Sequence, residues 1–434
     1  MPASASAAQI RYLEEVVRGT TPSGNPTELR VTGESLNQSV ESAASQELRN
    51  DRMMPDSILT GGQVGGALNF EMSFLTYDTF LEALLAGTFT EIAADSAVDL
   101  ADATFASTDN SVNSAANVIP YTRISLGQWV KISNCKTAAN NGIYRASTTV
   151  AATAAKLRFE TAVKTVTTDA GANRATLASA RLKNGTDTLR TFSIEKEFTD
   201  VSQHFMYNGC GVESASLDFS TGSMLTGSLN LLGQDSVRST ATQFPSGLGS
   251  VVAATTTPVM NSVQGTTVLL DGASLGDSCA ESFSLNIGTG LRGIRCLGSG
   301  LGFADVVAGT FEITANLNIF FGAASSASVY DKMLLNQPLS FSIAVSDANG
   351  NGYAFNMDRA KLTSSEIVAG GINTDVIMNL GLTATIDTVS DAMLSIDRLG
   401  DSGPSAVASA SPSSSVSSST SASPSSSVSS SPSA

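Results

Sequence analysis

The only histidine of the chain, His204, is where a catalytic argument has to begin. A Ser–His–carboxylate triad would use this imidazole as its general base, but the sequence contains no Gly-x-Ser-x-Gly motif that would supply the nucleophile. The histidine lies in "VSQHFMY", beside a predicted strand. A side chain that lies at an interface or is partly exposed is the more common role for such a residue, so we predict no catalytic residues.

Carboxylates could instead form an acid–base pair or hold a metal. Glu195 and Glu197 share one face of a predicted strand, whereas glycosidase carboxylates face each other across a cleft, so we expect a solvated acidic surface. The segment "DANGNG", residues 347–352, spaces its oxygens like part of a calcium loop, but it lacks the downstream bidentate glutamate and resembles a turn. The four cysteines form no CxxC pair, and we expect them to be buried apolar side chains. We therefore predict no metal site and no cofactor.

The composition favours many short strands over long helices. Of 434 residues, 42% are hydrophobic and only 15% are charged, and 37 are glycine; such a chain can bury a large core and turn often. The formal net charge of −15 disfavours conventional binding of nucleic acids or anionic membranes. We find no apolar run that could span a bilayer, and "MPASASAAQIRYLEEVV" lacks the regions of a signal peptide, so we expect folding in a cytoplasm.

Two parts of the chain follow the same pattern. Each has a Phe-Ser-Ile strand, a polar turn and a second strand, in "TFSIEKEFTDVSQHFMYNGCGVESASLDFS" and in "SFSIAVSDANGNGYAFNMDRAKLTSSEIVA". Each is preceded by an alternating strand (residues 67–75 and 310–321) and by a helix that starts with Tyr-Asp (residues 77–87 and 330–337). Related strands follow in "MLTGSLNLLG" and "DVIMNLGLTATI". This order predicts an internal duplication of a β-rich unit.

The first copy alone has extra sequence between its helix and its Phe-Ser-Ile strand. We place this insert at residues 90–188 and predict a small antiparallel module with strands in "GQWVKIS", "IYRAST", "KLRFE" and "AVKTVTT". Asn141 and Gly142 give a strong hairpin signal. The only tryptophan, Trp129, lies on the first of these strands, where a core or surface aromatic is more common than a ligand contact.

Three segments have a weaker pattern. Residues 10–19, in an N-terminal arm, fit either a short helix or a strand. Residues 33–66 lack clear periodicity, and a connection of this length is usually functional. "SASPSSSVSSS" occurs twice near the end of the chain and cannot offset its ordering entropy, so we expect a disordered spacer there. Hydroxyl modification or surface anchoring is the alternative role for this tail.

The predicted fold is therefore mainly β, with two tandem β-sandwich or barrel modules, short helices, a small inserted β domain and a disordered Ser-rich C-terminal tail. The stretch "TELRVTGESL" at the start of the first module alternates like a strand. The predicted boundaries are an arm at 1–27, a first module at 28–89 and 189–240, the insert at 90–188, a second module at 241–400 and the tail at 401–434.

Several motifs closely resemble those of tail tube proteins of long-tailed, non-contractile bacteriophages. They are "LRVTGESLNQS", "SQELRNDRMMPD", "GALNFEMSFLTYDTFLEALL", "FSIEKEFTD", "YNGCGVESASLDFSTG" and "GSLNLLG", with "YAFNMDRAKLTSSE" and "IDR" in the second copy. They span most of residues 28–400 apart from the insert. None is a catalytic motif, and their number and order carry the resemblance.

The resemblance implies a structural virion protein that is not an enzyme. Tube proteins of this class form rings that stack into a hollow tube for DNA, and the inner wall of each ring is a closed β-barrel. Most such rings contain six tube units, so a chain with two implies a homotrimer with pseudo-sixfold symmetry, or a homohexamer if one copy stays out of the wall. The implied partners are further copies of the chain, the tape measure protein, the tail terminator and distal tail proteins, and phage DNA passing without specific binding. The expected location is the virion tail, assembled in the host cytoplasm, with no membrane partner.

The polar faces of the two matching strands are then our candidates for the channel lining, although they could also face outward. They are Asn69, Glu71, Ser73, Glu312, Thr314, Asn316 and Asn318. Residues 33–66 and their counterpart at 291–309 are candidates for contacts between rings, in particular Arg49, Asp51 and Arg52. The insert and the tail should project from the outside of the tube.

Two other classes of protein fit part of the sequence. A secreted or surface β-rich adhesin would use the Ser-rich tail as a stalk, but it calls for a signal peptide and leaves the duplication unexplained. A hydrolase on a β scaffold is disfavoured by the single histidine and by the lack of a catalytic constellation.

Overall fold

The computed structural model describes residues 2–401, except for residues 49, 52, 54, 55, 94–96, 186–188, 246–249, 276–278, 299, 323–325 and 370. Strands account for 51% of the chain and helices for 5%, which confirms the mainly-β fold. The predicted Ser-rich tail lies outside the described residues, apart from Asp401.

The strands and helices follow one another in two similar series, and the insert interrupts the first of them. The first series has β1 (Ala8–Glu14), β2 (Thr27–Glu28), β3 (Gly33–Glu34), β4 (Asn37–Ala44), β5 (Ser57–Glu71), α1 (Asp78–Leu85) and β6 (Thr90–Glu91). The next strands are β7 (Ala97–Ala106), β8 (Ser111–Ser114), β9 (Trp129–Ser133), β10 (Gly142–Arg145), β11 (Lys156–Arg158) and β12 (Asp169–Ala178). The first series then continues with β13 (Ala180–Lys183), β14 (Phe192–Phe198), β15 (Gln203–Ser220), β16 (Thr226–Gly233) and β17 (Asp235–Ser239).

The second series lies between residues 267 and 399. It has β18 (Thr267–Leu270), β19 (Ala273–Ser274), β20 (Ala280–Gly288), β21 (Arg292–Ile294), β22 (Asp305–Val307), β23 (Glu312–Phe320) and α2 (Ser326–Leu334). It ends with β24 (Leu339–Ser346), β25 (Gly352–Ala369), β26 (Val376–Ala384) and β27 (Ser395–Leu399). Two short 3-10 helices, Ala5–Ala7 and Ala138–Asn140, complete the described elements.

The two copies share topology and register. In each copy a strand of 18 residues, β15 or β25, pairs first with the Phe-Ser-Ile strand and then with the next strand along the chain. The second ladder is interrupted at the same point in both copies, between Val212 and Ser214 and between Leu362 and Ser364. A shared irregularity of this kind agrees with the predicted duplication, because bulges are specific features of a fold.

Helix α1 buries the face that the sequence predicts, with Phe80, Leu81, Leu84 and Leu85 in the core. The predicted glycine stop works differently, because Ala86 rather than Gly87 takes the left-handed conformation, with φ 46°. A Cβ on residue 87 would lie 2.5 Å from the Lys183 carbonyl oxygen. Close packing of two backbones therefore requires this glycine.

The prediction that both helices start at Tyr-Asp is wrong for the second copy. Tyr77 immediately precedes α1, packs its ring 4.2 Å from that of Phe70 and donates its hydroxyl proton to the Arg30 carbonyl. Tyr330 instead lies within α2 and is 39% exposed. The same dipeptide starts a helix only where the aromatic ring has a core pocket and a buried acceptor.

Residues 8–14 form a strand, which resolves the choice left open by the sequence and gives part of the predicted arm a regular structure. β1 pairs with β14 along its whole length, and Ile10 is buried. The alternating stretch "TELRVTGESL" is a strand only at its ends, in β2 and β3. Between them, Leu29 is buried and donates its backbone N–H to the Ile10 carbonyl.

The prediction of an irregular loop at residues 33–66 is also wrong. This segment forms a long hairpin in which β3 and β4 pair with β5, from Gly33 opposite Asn69 to Ala44 opposite Ser57. Its glycines and small polar residues hide the alternation that normally identifies a strand. The pairing is specified by the partner strand, which a local pattern does not reveal.

The inserted residues form a separate six-stranded sheet in the order β10–β9–β12–β7–β8–β11, with its own apolar cluster. "AVKTVTT" forms no strand, because the Asn110 side chain replaces a ladder partner and accepts the N–H of Val166 at 2.7 Å. Trp129 is a core residue whose indole N–H donates to the Asn356 side chain at 2.7 Å. Asp397 accepts both the Trp129 N–H and a bidentate Arg181 side chain, so a buried polar network joins this sheet to the second copy.

Candidate assembly surface and channel face

One region of the large sheet runs without interruption through both copies. Its eight strands are ordered β4, β5, β16, β15, β20, β23, β26 and β25. The first four strands come from the first copy and the last four from the second. The copies meet at the β15–β20 pair, where residues 214–220 lie opposite residues 288–282. We call this region the wall sheet and the β15–β20 pair the internal junction.

Residues that pair directly in antiparallel strands project to the same face, so the register traces polar rows across the wall sheet. Two rows cross seven strands: Asn69, Ser228, Ser216, Asn286, Thr314, Thr383 and Lys361; and Glu71, Thr226, Asp218, Ser284, Asn316, Gly381 and Ser364. Two flanking rows cross five strands each: Ala67, Asn230, Ser214, Gly288 and Glu312; and Ser220, Ser282, Asn318, Asn379 and Glu366. We call the surface formed by these four rows the polar face.

The polar face brings together all but one of the predicted lining residues. Asn69 and Glu71 reach it from β5, and the other four reach it from β23: Glu312, Thr314, Asn316 and Asn318. These six side chains are exposed or half-buried. Residues that the sequence places more than two hundred positions apart therefore share one continuous surface.

Ser73 does not belong to this surface, so its prediction as a lining residue is wrong. Its side chain is fully buried, with its hydroxyl 2.7 Å from that of Thr76. The Arg30 guanidinium also donates to this hydroxyl at 3.4 Å. β5 ends at Glu71, and the alternation no longer reports a strand face where the chain turns towards α1.

The reverse face of the wall sheet is apolar and packed. One row consists of Phe70, Gly227, Leu217, Leu285, Ala315, Leu382 and Leu362. Gly227 leaves room for the Phe70 ring, which a Cβ would approach to 2.5 Å. Phe80 and Leu84 of α1 join the same core. The orientation of the sheet is thereby fixed, because only the polar face is open to water.

Carboxylates outnumber cations in the four rows of the polar face. The acidic side chains are Glu71, Asp218, Glu312 and Glu366, and the basic one is Lys361. Among the neutral residues, the Asn230 amide donates to Ser214 at 2.9 Å and the Asn318 amide donates to Ser282 at 2.8 Å. Such a surface is hydrated and offers phosphate groups few positive partners.

The wall sheet ends in two edges that have no strand partner in the described part of the chain. One is the outer edge of β3 and β4, and the other is the outer edge of β25 after Leu362. Residues 363–369 are mostly exposed, including Ile367 at 43% and Val368 at 40%. Unpaired edges of this kind are templates for pairing with another chain.

The β4–β5 hairpin extends beyond the other strands of the wall sheet. β16 is last paired with β5 at Val64, but β4 and β5 continue to pair as far as Ala44 and Ser57. The extension carries exposed apolar side chains: Val40, Leu48, Met53, Ile58 and Leu59. This surface has the character of a protein contact.

The structure connects the two segments that were predicted to contact neighbouring rings. Arg295, next to β21, donates two hydrogen bonds of 2.7 Å to Glu41 of the hairpin. Asp51 accepts the Met53 backbone N–H at 3.2 Å. Arg49 and Arg52, the other two predicted contact residues, lie outside the described residues.

His204 is buried between two carboxylates, of which Glu195 is buried and Glu197 half-buried. Its Nδ1 is 3.6 Å from Glu195, and its Nε2 is 3.8 Å from Glu197. Glu195 is fully buried and accepts hydrogen bonds from Thr242 and from a backbone N–H, while Glu197 pairs with Arg11. The expectation of a solvated acidic surface here is wrong, since these carboxylates are held by internal partners.

The remaining candidate groups have structural surroundings. Asp347 caps the turn of "DANGNG" by accepting two backbone N–H groups, and the Lys131 ammonium donates to two oxygens of the same turn. Cys210 is buried as expected, but Cys279 and Cys296 are exposed, because they lie outside the core strands. No cluster of three or more His, Cys, Asp or Glu side chains suited to a metal occurs among the described residues.

Neither helix in the described residues has the length and apolar character needed to cross a membrane. A family model described as phage tail tube protein matches residues 5–387. The chain belongs to the phage tail tube protein family. Membership makes it a structural, non-catalytic component of the phage tail that assembles with itself into a tube. No curated protein matches the sequence.

The sequence argument missed one signal of this tube protein's repeat. Ser35-Leu36-Asn37 in "GESLNQS" and Ser284-Leu285-Asn286 in "SFSLNIG" occupy equivalent positions in the two ladders. The tripeptide also occurs in β16 as Ser228-Leu229-Asn230, so by itself it does not identify β3 and β4 as the counterpart of β20. The pairing register of the two ladders makes that assignment.

Proposed function

We propose that this chain polymerises as stacked rings into the tail tube of a long-tailed, non-contractile phage, with the polar face lining the DNA channel. The observation that carries the proposal is the wall sheet, in which both copies contribute to one surface with a packed back and a hydrated front. A tube wall needs this asymmetry, because one side must face the channel while the other supports it.

The two free edges favour closure of a ring through further copies of the chain, and two tube units per chain favour three chains with pseudo-sixfold symmetry, because most rings of this family contain six units. Each copy supplies four strands, so three chains would join their edges into one closed barrel. Closure removes every exposed edge, and head-to-tail contacts related by rotation end the assembly. A homohexamer is the alternative if one copy turns away from the channel.

The charge of the polar face suits the passage of DNA during ejection into the host. Acidic and neutral side chains repel phosphates weakly and hold water, whereas lysine or arginine would bind the backbone and slow its movement. Glu71 and Glu312 are the lining carboxylates that the sequence predicts. They occupy different strands and rows, which spreads negative charge over the surface.

In this proposal the remaining parts of the chain form contacts between stacked rings or lie on the outside of the tube. Stacked rings would meet through the β4–β5 hairpin and residues 291–309. The predicted boundaries at residues 27, 89, 188, 240 and 400 separate the arm, the modules, the insert and the tail. The insert and the tail would lie on the outside of the tube. The tape measure, terminator and distal tail proteins would set tube length and ends during assembly in the host cytoplasm.

The experiment reverses charge on the polar face. The double substitution Glu71→Lys with Glu312→Lys should leave tubes visible by electron microscopy but impair DNA delivery. A matched control, Asp99→Lys with Asp331→Lys, makes the same charge change at exposed sites away from the polar face. Normal infectivity of the first variant would reject the channel assignment, and an equal loss in both would make the effect one of total charge.

A further inference from the structure

The internal junction provides a template for a contact between chains. The coincident bulges align β25 with β15, so that residues 364–369 correspond to residues 214–219. The ladders likewise align residues 33–39 with residues 282–288. The second half of β25 is therefore equivalent to the β15 side of the internal junction, and the edge formed by β3 and β4 is equivalent to its β20 side. Within one chain these two strands lie at opposite edges of the wall sheet.

This correspondence fixes a register. At the internal junction, Ser216 lies opposite Asn286. The equivalent pair is Glu366 of one chain and Asn37 of a second copy. In the same register, Ile367 would lie opposite Leu36, as Leu217 lies opposite Leu285.

Exposure shows what a second copy would cover. Leu217 is 1% exposed at the internal junction, whereas its equivalent, Ile367, is 43% exposed at the free edge. Leu36 is already buried, like its equivalent Leu285. The apolar surface that lacks cover is thus on β25, next to the hydrogen-bonding groups that would attach the neighbouring strand.

The opposite edge carries a polar cap. The Leu36 N–H donates to the Glu34 carboxylate at 3.0 Å, and the Leu36 carbonyl accepts from Lys196 and Tyr207, both at 3.0 Å. The Ser35 N–H donates inward to β5. Because successive residues of a strand point to opposite sides, the capped groups of Leu36 point outward, where an incoming strand would bind.

The cap is present in the first copy, where the edge of β3 and β4 is free, and not in the second copy, where the equivalent strand β20 is paired. The residues equivalent to Glu34, Lys196 and Tyr207 are Phe283, Val345 and Phe355. None of these three side chains has a hydrogen-bonding group. Lys196 is further held 3.1 Å from Glu34 and between aromatic rings, and burial raises the pKa of Tyr207 to about 12, so its hydroxyl remains a donor.

We propose that the edge formed by β3 and β4 binds residues 363–369 of a second copy in the register of the internal junction, and that the Glu34–Lys196–Tyr207 cluster caps this edge until the second copy displaces it. The inference rests on the proposed tube. It adds which strands close the ring, which residues meet, and which contacts protect the edge of the unassembled chain.

Disulfide trapping tests the register. In a background with Cys135, Cys279 and Cys296 changed to serine, assembled Asn37→Cys/Glu366→Cys protein should form covalent multimers on a non-reducing denaturing gel. The matched variant Ser216→Cys/Asn286→Cys should form a disulfide within one chain and remain monomeric on that gel. Asn37→Cys/Ser364→Cys is displaced by two residues, which separates the cysteines by about 7–8 Å and should prevent efficient bonding.

The outcomes separate the two proposals. Tubes that form without a cross-link at residues 37 and 366, or that cross-link equally in the displaced variant, would overturn the register and leave the tube proposal standing. A parent protein that never forms rings or tubes would overturn the tube proposal itself.

A hydroxyl deletion tests the cap. Tyr207→Phe removes one donor to Leu36 and should increase the assembly rate by about fivefold, the effect of one net hydrogen bond. Tyr144→Phe is the control, because it removes an equally buried 3.0 Å bond to a carbonyl within the inserted sheet and should leave the rate unchanged. An unaltered rate in Tyr207→Phe, or equal acceleration in both, would show that the cluster does not restrain assembly.

Discussion

The internal junction and the free edges contain equivalent strands in different states. At the internal junction both strands are paired and their apolar side chains are buried. At the free edges β25 exposes Ile367, and Leu36 is capped by polar side chains. The comparison indicates that a duplicated chain can form one strand junction within itself and leave the equivalent junction to form between chains. The edge that is unpaired before assembly carries additional polar groups.

The largest expected effect comes from placing a charge at equivalent positions of the two junctions. Leu217→Asp buries an unpaired carboxylate in the packed core and should lower the free energy of unfolding by more than about 4 kcal/mol. Ile367→Asp should leave the chain folded, because its site is open, but should abolish tubes. Urea unfolding and electron microscopy measure the two effects. A normal yield of tubes from Ile367→Asp would contradict the proposal that Ile367 is covered in a junction between chains as Leu217 is covered at the internal junction.

A smaller effect is expected from removing a single edge donor. The Gln38 N–H points outward by the alternation that directs Ser35 towards β5. Gln38→Pro should fold, since edge strands tolerate proline where the N–H is unpaired, but should raise the critical concentration for assembly about tenfold. Sedimentation of tubes over a dilution series measures this value. Gln38→Ala keeps the N–H and should assemble normally; equal defects in both variants would assign the effect to the lost side chain.

The smallest effect should come from the Glu41–Arg295 pair, which supports the exposed hairpin without closing a junction. The hydrogen bond from Arg295 lowers the pKa of Glu41. The tether is therefore fully formed above the ordinary glutamate pKa and is lost as the pH falls through the lowered value. Hydrogen exchange in the hairpin should rise in that acidic range, and Arg295→Ala should produce the same rise at neutral pH. Unchanged protection in Arg295→Ala would show that β4–β5 pairing alone holds the hairpin.

Local periodicity predicted the elements that bury one face within a few residues. Alternation identified β23, helical spacing identified the apolar face of α1, and the repeated Phe-Ser-Ile identified β14 and β24. It failed in the β4–β5 hairpin, where glycines and exposed residues replace the pattern and the two strands are defined by their pairing with each other. It also failed at Ser73, since a pattern cannot show where a strand stops.

The polar face could be predicted only in part for the same reason. Asn69 and Asn316 were recognised by alternation, but their membership of one surface depends on β16, β15 and β20 lying between them. The edge cap was inaccessible to the sequence argument, because Glu34, Lys196 and Tyr207 are distant in the chain. Their meeting is a consequence of tertiary packing.

An electron cryomicroscopy map of the assembled tube, at a resolution that separates strands, tests the central claim most directly. The account predicts three chains per ring, the polar face towards the channel, and β25 of each chain paired with β3 and β4 of the next, with Glu366 opposite Asn37. A ring in which the polar face points outward, or in which either copy is absent from the inner wall, would contradict it.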